Sequence, residues 1–558
     1  MVSLADVKNW KPEVLNEIAT TLRQRQQTLV HSGDDFGRLM PMASWTGPAA
    51  DAAQGTHNRL MTRLMALTAV TSAVSKGLMQ ASDAIPPVKH AIEAAEELAR
   101  KYGFTVDANG QVTDDFAGKE PPPEMHPEDR AHVHEQVGAD LTQALRTAED
   151  IDNDLDSLFF RAAFGEYADF HQGTVAAAAD AGLKEIGLTL PEPPPGATPA
   201  QNAAWWATLS KVGQTIYARD NPGIVGKLDG VPVAVRDEAN QRVLVRQKES
   251  LQKQCDDVQK KIDGLRRTAG GEIVLNDQSE YEDLKSQIDD INGKLGGIKS
   301  IEDRLQNAVN GQKAYLLGVN TENAGQAIVS SGNPDEAENV ATFVPGTGAK
   351  LAEVGDQVAR SDLMLRSAQD AGSPSTAVVT WIGYDAPQNI ILDSPRSVFA
   401  DNAERPLHDF QAGLLASHPN DPSHTPPHTT VIGHSYGTTA IGQTARDHGL
   451  AADDLVFAGS PGVGVRHADQ LHLDNVPPDQ VGKHVFSTAA PTDPIPILTN
   501  FHTENTDDID PLGPDPTMPW FGGQSFDADA SSPFHSHSDY WEPRSSSLRR
   551  MGQVIAGN

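Results

Sequence analysis

The run Thr429-Thr-Val-Ile-Gly433-His434-Ser435-Tyr436-Gly437-Thr-Thr-Ala constrains this chain more than any other stretch. It reads as a short apolar strand, a sharp G-x-S-x-G turn and then a helix. In such a turn the serine is held in a strained backbone conformation with its hydroxyl pointing out of the sheet edge. Gly433 and Gly437 flank it because a Cβ at either place would strike the neighbouring strand or helix. The strand-turn-helix setting, more than the five-residue string, makes the feature specific.

The last third of the chain supplies the sheet that this strand needs. Apolar runs recur at Ala314-Tyr-Leu-Leu-Gly-Val, Ala327-Ile-Val, Val340-Ala-Thr-Phe-Val, Ala377-Val-Val-Thr-Trp-Ile, Thr429-Thr-Val-Ile, Asp454-Leu-Val-Phe-Ala and His484-Val-Phe-Ser. Most are apolar on both faces, as a buried parallel sheet requires. Helices fit between them at about 350–371, 398–417 and 437–448. This βαβ succession predicts an α/β domain over 311–558, a mainly parallel sheet flanked by helices.

The preceding part is helical. Leu4, Val7, Trp10, Val14, Ile18 and Leu22 lie on one stripe, and Leu60, Leu64, Leu67, Val70, Val74 and Leu78 on a second. Ser44-Trp45-Thr46-Gly47-Pro48 separates them, so 1–100 reads as an antiparallel helical hairpin. The segment 101–190 holds a small β-hairpin around Asn109-Gly110 and a helical region from about Pro127 to Gly182, with the glycine as stop signal. A Pro-rich linker and lead-in follow at 191–243, with Trp205 and Trp206 as packing anchors. Over 244–310, Leu251, Cys255, Val258, Ile262 and Leu265 step by fours and threes. After a Gly270-Gly271 tip, Tyr281, Leu284, Ile288, Ile291, Leu295 and Ile298 do the same, which predicts a coiled-coil hairpin.

Charge and cysteine content narrow the function classes. The 558 residues carry a formal net charge of -32, which repels phosphate backbones and anionic headgroups. Nucleic-acid partners are not expected. One cysteine excludes an intramolecular disulfide. There is no secretory signal pattern at the start and no stretch of membrane-span length, so the expected location is cytoplasmic, unless a signal-less export route operates. Gly293-Lys-Leu-Gly-Gly-Ile-Lys-Ser300 follows no strand and Ile298 interrupts its Gly-Lys pair, which argues against ATP binding. His418, His424 and His428 sit in a Pro-rich loop without ordered ligand spacing, so neither a metal nor a cofactor is expected.

A serine hydroxyl is a poor nucleophile without a base, and the base needs an orienting carboxylate. In the alpha/beta-hydrolase arrangement these follow in the order Ser, acid, His, each on a loop after a strand. Asp493, in a proline-bounded turn after His484-Val-Phe-Ser, suits the acid. His502, His535 and His537 come after it, and spacing does not separate His535 from His537; in an extended segment both point the same way. One oxyanion donor is the backbone N–H of Tyr436. The other belongs to Val344-Pro345-Gly346-Thr347-Gly348, where Thr347 is the expected donor and Gly348 the next. Gly459-Ser-Pro-Gly-Val-Gly reads as a tight turn beside the nucleophile.

Two resemblances bear on these residues. Trp45-Thr46-Gly47 resembles the W-x-G turn of helical hairpin proteins handled by type VII (ESX) secretion systems, although none of the eight tyrosines has an acid four residues on, the usual export tag. From about Ala200 onward the chain is similar to an actinobacterial, mycobacterial-type alpha/beta-hydrolase group. The matching blocks are Gly223-Ile-Val-Gly-Lys-Leu-Asp-Gly-Val-Pro, Val344-Pro-Gly-Thr-Gly, Gly433-His-Ser-Tyr-Gly, Gly459-Ser-Pro-Gly-Val-Gly, Asp493-Pro and His537-Ser-Asp-Tyr-Trp. That resemblance implies Ser435, Asp493 and His537 as triad, hence an esterase- or lipase-like serine hydrolase acting on a small-molecule or lipid-like ester. The alternative expectation is a type VII-associated protein whose helical half recruits a partner or self-associates.

Overall fold

The computed structural model describes residues 2–39, 44–119, 121–122, 127–164, 173–185, 187–269, 272–275, 278–389, 397–418, 426–474, 476–499, 512–529 and 535–558. His424, His502 and the Gly270-Gly271 tip lie outside them. The five segments read from the sequence gather into two compact units, Met1–Ala197 with Ala204–Tyr217, and Thr198–Ala203 with Ala218–Asn558.

The first unit is built on helices Pro12–Gly37 and Pro48–Lys101, joined through the Trp45 turn. The predicted first stripe is broken: Leu4–Asn9 is a separate short helix, closed at its start by a Ser3/Asp6 capping box, and Pro12 opens the next. Close approach depends on small residues; Ser75 Oγ donates to the Ala19 carbonyl at 2.8 Å. The predicted hairpin forms between Phe104–Val106 and Val112–Asp114. Asp107 Oδ1 accepts the N–H groups of Asn109 and Gln111 across its turn, at 2.8 and 2.9 Å. The helical region expected from 127 to 182 is instead two helices, Pro127–Phe164 and Val175–Lys184. Gly182 does not stop the second. A Cβ there would stand 2.1 Å from the Ala69 carbonyl oxygen, so the glycine serves close helix packing. Trp205 and Trp206 are buried, with Trp205 Nε1 donating to the Pro191 carbonyl at 2.9 Å.

In the second unit the predicted hairpin corresponds to two helices, Val233–Leu265 and Gln278–Gln306. The first arm begins eleven residues before the predicted 244 because its opening turns are anchored on the sheet. Arg236 Nη2 donates to the Leu317 carbonyl at 2.9 Å, and the Leu316 N–H donates to Asp237 Oδ1 at 2.7 Å. Leu251, Val258, Ile262, Leu284, Ile291 and Ile298 join the same apolar core as the sheet residues. The hairpin therefore shares the core of the second unit.

Among the described residues the sheet has eight strands: β1 Ala314–Asn320, β2 Gln326–Ser331, β3 Asn339–Val344, β4 Thr376–Ile382, β5 His428–His434, β6 Asp454–Ala458, β7 Val485–Thr488 and β8 Gln524–Ser525. Their spatial order is β8-β7-β6-β5-β3-β4-β2-β1. All pairs from β8 to β4 are parallel; β2 is antiparallel to both β4 and β1, so among the described strands β2 is the one that runs against the rest. β3, β4 and β6 are buried along their whole length, in keeping with helices on both faces. From β3 the chain crosses to β4 on one side and later to β5 on the other. The carboxyl ends of β3 and β5 therefore flank a topological switch point, where an open α/β sheet forms a crevice. No described helix is long and apolar enough to cross a membrane.

Candidate active site

Ser435, the Gly346 loop and Asp493 follow the carboxyl ends of β5, β3 and β7. Ser435 follows β5 and caps the helix Tyr436–Asp447, with φ 54° and ψ -129°. A non-glycine residue at positive φ costs about 1–3 kcal/mol and persists only where its surroundings enforce it. Here its N–H is held by the Ala458 carbonyl at 3.0 Å. The flanking glycines behave as the turn demands. A Cβ on Gly437 would stand 2.1 Å from the Val344 carbonyl oxygen, and one on Gly433 would stand 2.8 Å from the Thr438 backbone.

The loop after β3 is pressed against this elbow. A Cβ on Gly346 would lie 2.6 Å from the His434 carbonyl oxygen, 2.7 Å from Tyr436 N and 2.8 Å from Ser435 Cβ. The buried Tyr384 hydroxyl donates to the Pro345 carbonyl at 2.9 Å and holds the loop from behind. Thr347 is the next residue on this segment. Gly348, the next expected donor, gives its N–H to the Pro387 carbonyl at 2.8 Å. Tyr436 tucks its ring under the helix Val398–Ser417; the Ala400 N–H donates to its hydroxyl at 3.3 Å, and burial pushes the phenol up to about 12.

Asp493 and His537 are brought together. The imidazole Nδ1 lies 3.0 Å from Asp493 Oδ1 and 2.8 Å from Oδ2, so Nδ1–H donates and Nε2 is left to act as base. Asp493 is fully buried. Burial raises its pKa, but the His537 pair, the Tyr540 hydroxyl at 2.6 Å and the Ile495 N–H at 2.9 Å outweigh that and hold it below the usual carboxylate range. His535 is exposed. The segment is a turn, with the Ser538 N–H donating to the His535 carbonyl at 2.8 Å, so the two rings diverge instead of sharing a face.

His434 joins this pair to the elbow. Its Nε2–H donates to the His537 carbonyl at 2.7 Å, and the two rings lie 4.7 Å apart. Burial, chiefly, drives the His434 pKa well below the ordinary value, so the ring is neutral. Among the described residues the link from His537 to Ser435 runs through His434 rather than through a bond of the serine hydroxyl. Such nucleophile–base bonds are commonly loose until substrate tightens them.

Three supporting residues carried no clear sequence signal. Gly459, at φ 58°, leaves room for the acid: a Cβ would stand 2.9 Å from Asp493 Oδ2. Its block does turn beside the nucleophile, where Ser460 Oγ and Thr438 Oγ1 lie 2.7 Å apart. Tyr540 and His434 sit inside the quoted motifs, but only their contacts show what they touch. Elsewhere, His428 pairs with Asp454 and not with His418. Among the described residues no group of three or more His, Cys, Asp or Glu side chains is arranged to hold a metal.

The chain is similar to several known proteins. A family model described as alpha/beta hydrolase matches residues 320–502. The chain is 28% identical over 394 residues to uncharacterized protein Rv2079 of Mycobacterium tuberculosis, an alignment covering 66% of this chain and 57% of that protein. It thus spans a little over half the length of that relative. It is 31% identical over 190 residues to uncharacterized protein Rv0963c of the same organism, covering 32% of this chain and 69% of that one. The crystal structure of esterase LipW from Mycobacterium marinum aligns with 50% of this chain and 89% of its own at 12% identity, with a TM-score of 0.29. With its mainly parallel sheet, its strained serine elbow and a relative matched over two thirds of its length, the chain belongs to the alpha/beta hydrolase family.

Proposed function

We propose that the chain is a serine hydrolase that cleaves a carboxylic ester through an acyl-enzyme intermediate, with no cofactor in the chemistry. The observation that carries this reading is the seating of His537 Nδ1 on both oxygens of the buried Asp493, one residue's width from the elbow. Ser435 Oγ attacks the ester carbonyl while His537 Nε2 takes the hydroxyl proton. Asp493 holds the imidazole in the Nδ1–H tautomer and stabilises the imidazolium. The N–H groups of Tyr436 and Thr347 receive the oxyanion; their support is the tight apposition of the Gly346 loop and the elbow. The imidazolium protonates the departing alcohol, and water deprotonated by His537 then releases the carboxylic acid.

The test is covalent. A fluorophosphonate probe is expected to label the wild type and not Ser435→Ala, and the variant should lose turnover of a short p-nitrophenyl ester by about 10^4-fold or more. Turnover at the wild-type rate in Ser435→Ala would refute the assignment.

A further inference from the structure

We propose that Tyr540 is a positioning residue of this site: its phenolic hydrogen bond fixes the Asp493 carboxylate and tunes how firmly that carboxylate holds the base. The inference deepens the serine-hydrolase reading and rests on it. Three residues beyond His537 in the chain, Tyr540 enters the short turn Asp539–Trp541, which carries its ring back beneath the pair. Its hydroxyl makes two bonds. The Ala490 N–H lies 3.0 Å from the oxygen, and Asp493 Oδ2 lies 2.6 Å from it. A backbone amide only donates, so the hydroxyl accepts from Ala490 and its single proton is committed to Asp493. The direction of this bond is therefore set by the backbone, and the amide polarises the O–H it feeds.

Oδ2, the oxygen that receives the phenol, is also the nearer acceptor for His537 Nδ1 at 2.8 Å. Oδ1 is held from the other side by the Ile495 N–H at 2.9 Å. The carboxylate plane is thus pinned at both oxygens, and the phenol draws off part of the charge that would otherwise fall on the imidazolium. The surroundings are shaped for this contact. Tyr540 is 1% exposed and Asp493 0%. Gly459 leaves its side-chain space empty, since a Cβ would come within 3.0 Å of Tyr540 Cε2 and 3.1 Å of its hydroxyl. Among the described residues the titratable and charged groups facing the pair are His537 and His434 from the site, Arg360 stacked 4.8 Å over the neighbouring Trp541, and Asp515.

Removing the hydroxyl has a signed consequence. Without the phenol, Asp493 loses a donor that favours its ionised form, takes up a proton at higher pH, and while ionised puts more charge on His537. Both effects move the acidic limb of the kcat/KM profile upward. In Tyr540→Phe, whose ring still fills the site, we expect that limb to rise by about half a pH unit. We also expect kcat per fluorophosphonate-titrated site to fall about 10-fold, with KM unchanged. Replacing Tyr540 by 3-fluorotyrosine, a stronger donor of nearly the same shape, should move the limb the other way. A role in packing alone would lower the melting temperature of the phenylalanine variant and leave both limbs in place. That outcome, or an unmoved limb with 3-fluorotyrosine, overturns the proposal while leaving the hydrolase reading intact, provided Ser435→Ala is inactive. Persistent turnover in Ser435→Ala removes both.

Discussion

Gly346→Ala isolates the oxyanion loop, because the position has no positive φ and the change adds one methyl group and no backbone strain. That methyl would stand 2.6 Å from the His434 carbonyl oxygen and 2.7 Å from Tyr436 N, where ordinary Cβ contacts begin at 3.4 Å. Both neighbours are backbone atoms of the elbow and have no rotamer to change. The loop therefore retreats, by the 0.8 Å that separates 2.6 from 3.4 Å. A Thr347 N–H placed about 2.9 Å from an oxyanion would then sit at roughly 3.6–3.7 Å, beyond hydrogen-bond range. Losing one such donor costs about 2.7–4 kcal/mol of transition-state stabilisation, roughly 10^2–10^3 in kcat. Overpacking adds about 1–3 kcal/mol of instability, which a 150-residue or larger domain shows as a drop in melting temperature of several degrees. The assay is kcat on a p-nitrophenyl ester, normalised to sites titrated by a fluorophosphonate, with the melting temperature measured alongside. A variant that is destabilised yet turns over at the wild-type rate per titrated site would show that this loop does not supply an oxyanion donor.

Two further predictions concern the frame around the site. His428 pairs with Asp454 Oδ2 at 3.1 Å; burial disfavours its charged form, but that bond and the Asp453 charge outweigh it and raise its pKa. A raised folded-state pKa means the stabilisation is complete below the unfolded value near 6.5 and disappears as pH rises through the folded value. The stability gap between wild type and His428→Gln, measured by thermal melting, should therefore be wide at pH 6 and narrow at pH 8.5; an equal gap at both counts against it. Asp362 takes Arg304 through two bonds of 2.9 and 3.1 Å, tying the helix Gln278–Gln306 to the helix after β3. Asp362→Asn leaves the guanidinium buried without its counter-charge and should lower urea-measured stability by about 3 kcal/mol. A loss below about 1 kcal/mol would mean that Arg304 finds other partners.

The elbow was legible in the sequence because its signature is local, although the Ala458 and Val344 carbonyls that hold it lie on neighbouring strands. The apolar strand, the two glycines and the serine lie within a few residues, and their steric demands on φ and ψ act over that distance. The βαβ alternation was legible for the same reason, since periodicity of two or near 3.6 is a short-range signal. So were the apolar positions, spaced by threes and fours, of the two hairpin helices, which pack into or against the core. The arm's true start at Val233 was not, because its first turns are held by polar bonds to β1 and show no apolar step.

What the tertiary structure decided lies at long separation. His535 and His537 differ by two places and by nothing in composition; a turn ending at Ser538 sends one ring to solvent and the other to Asp493, 44 residues away. Thr347 is the expected donor and Gly348 the next, and only the fold shows the Gly348 N–H on the Pro387 carbonyl. Gly459 and Tyr540 are ordinary residues in the sequence, and they matter because β6, β7 and the last turn converge on one carboxylate. Hydrogen bonds between distant segments leave no periodic trace, since one donor and one acceptor are enough and many residues qualify. Sequence alone could specify the turn that presents the serine; only packing could choose which side chains surround it.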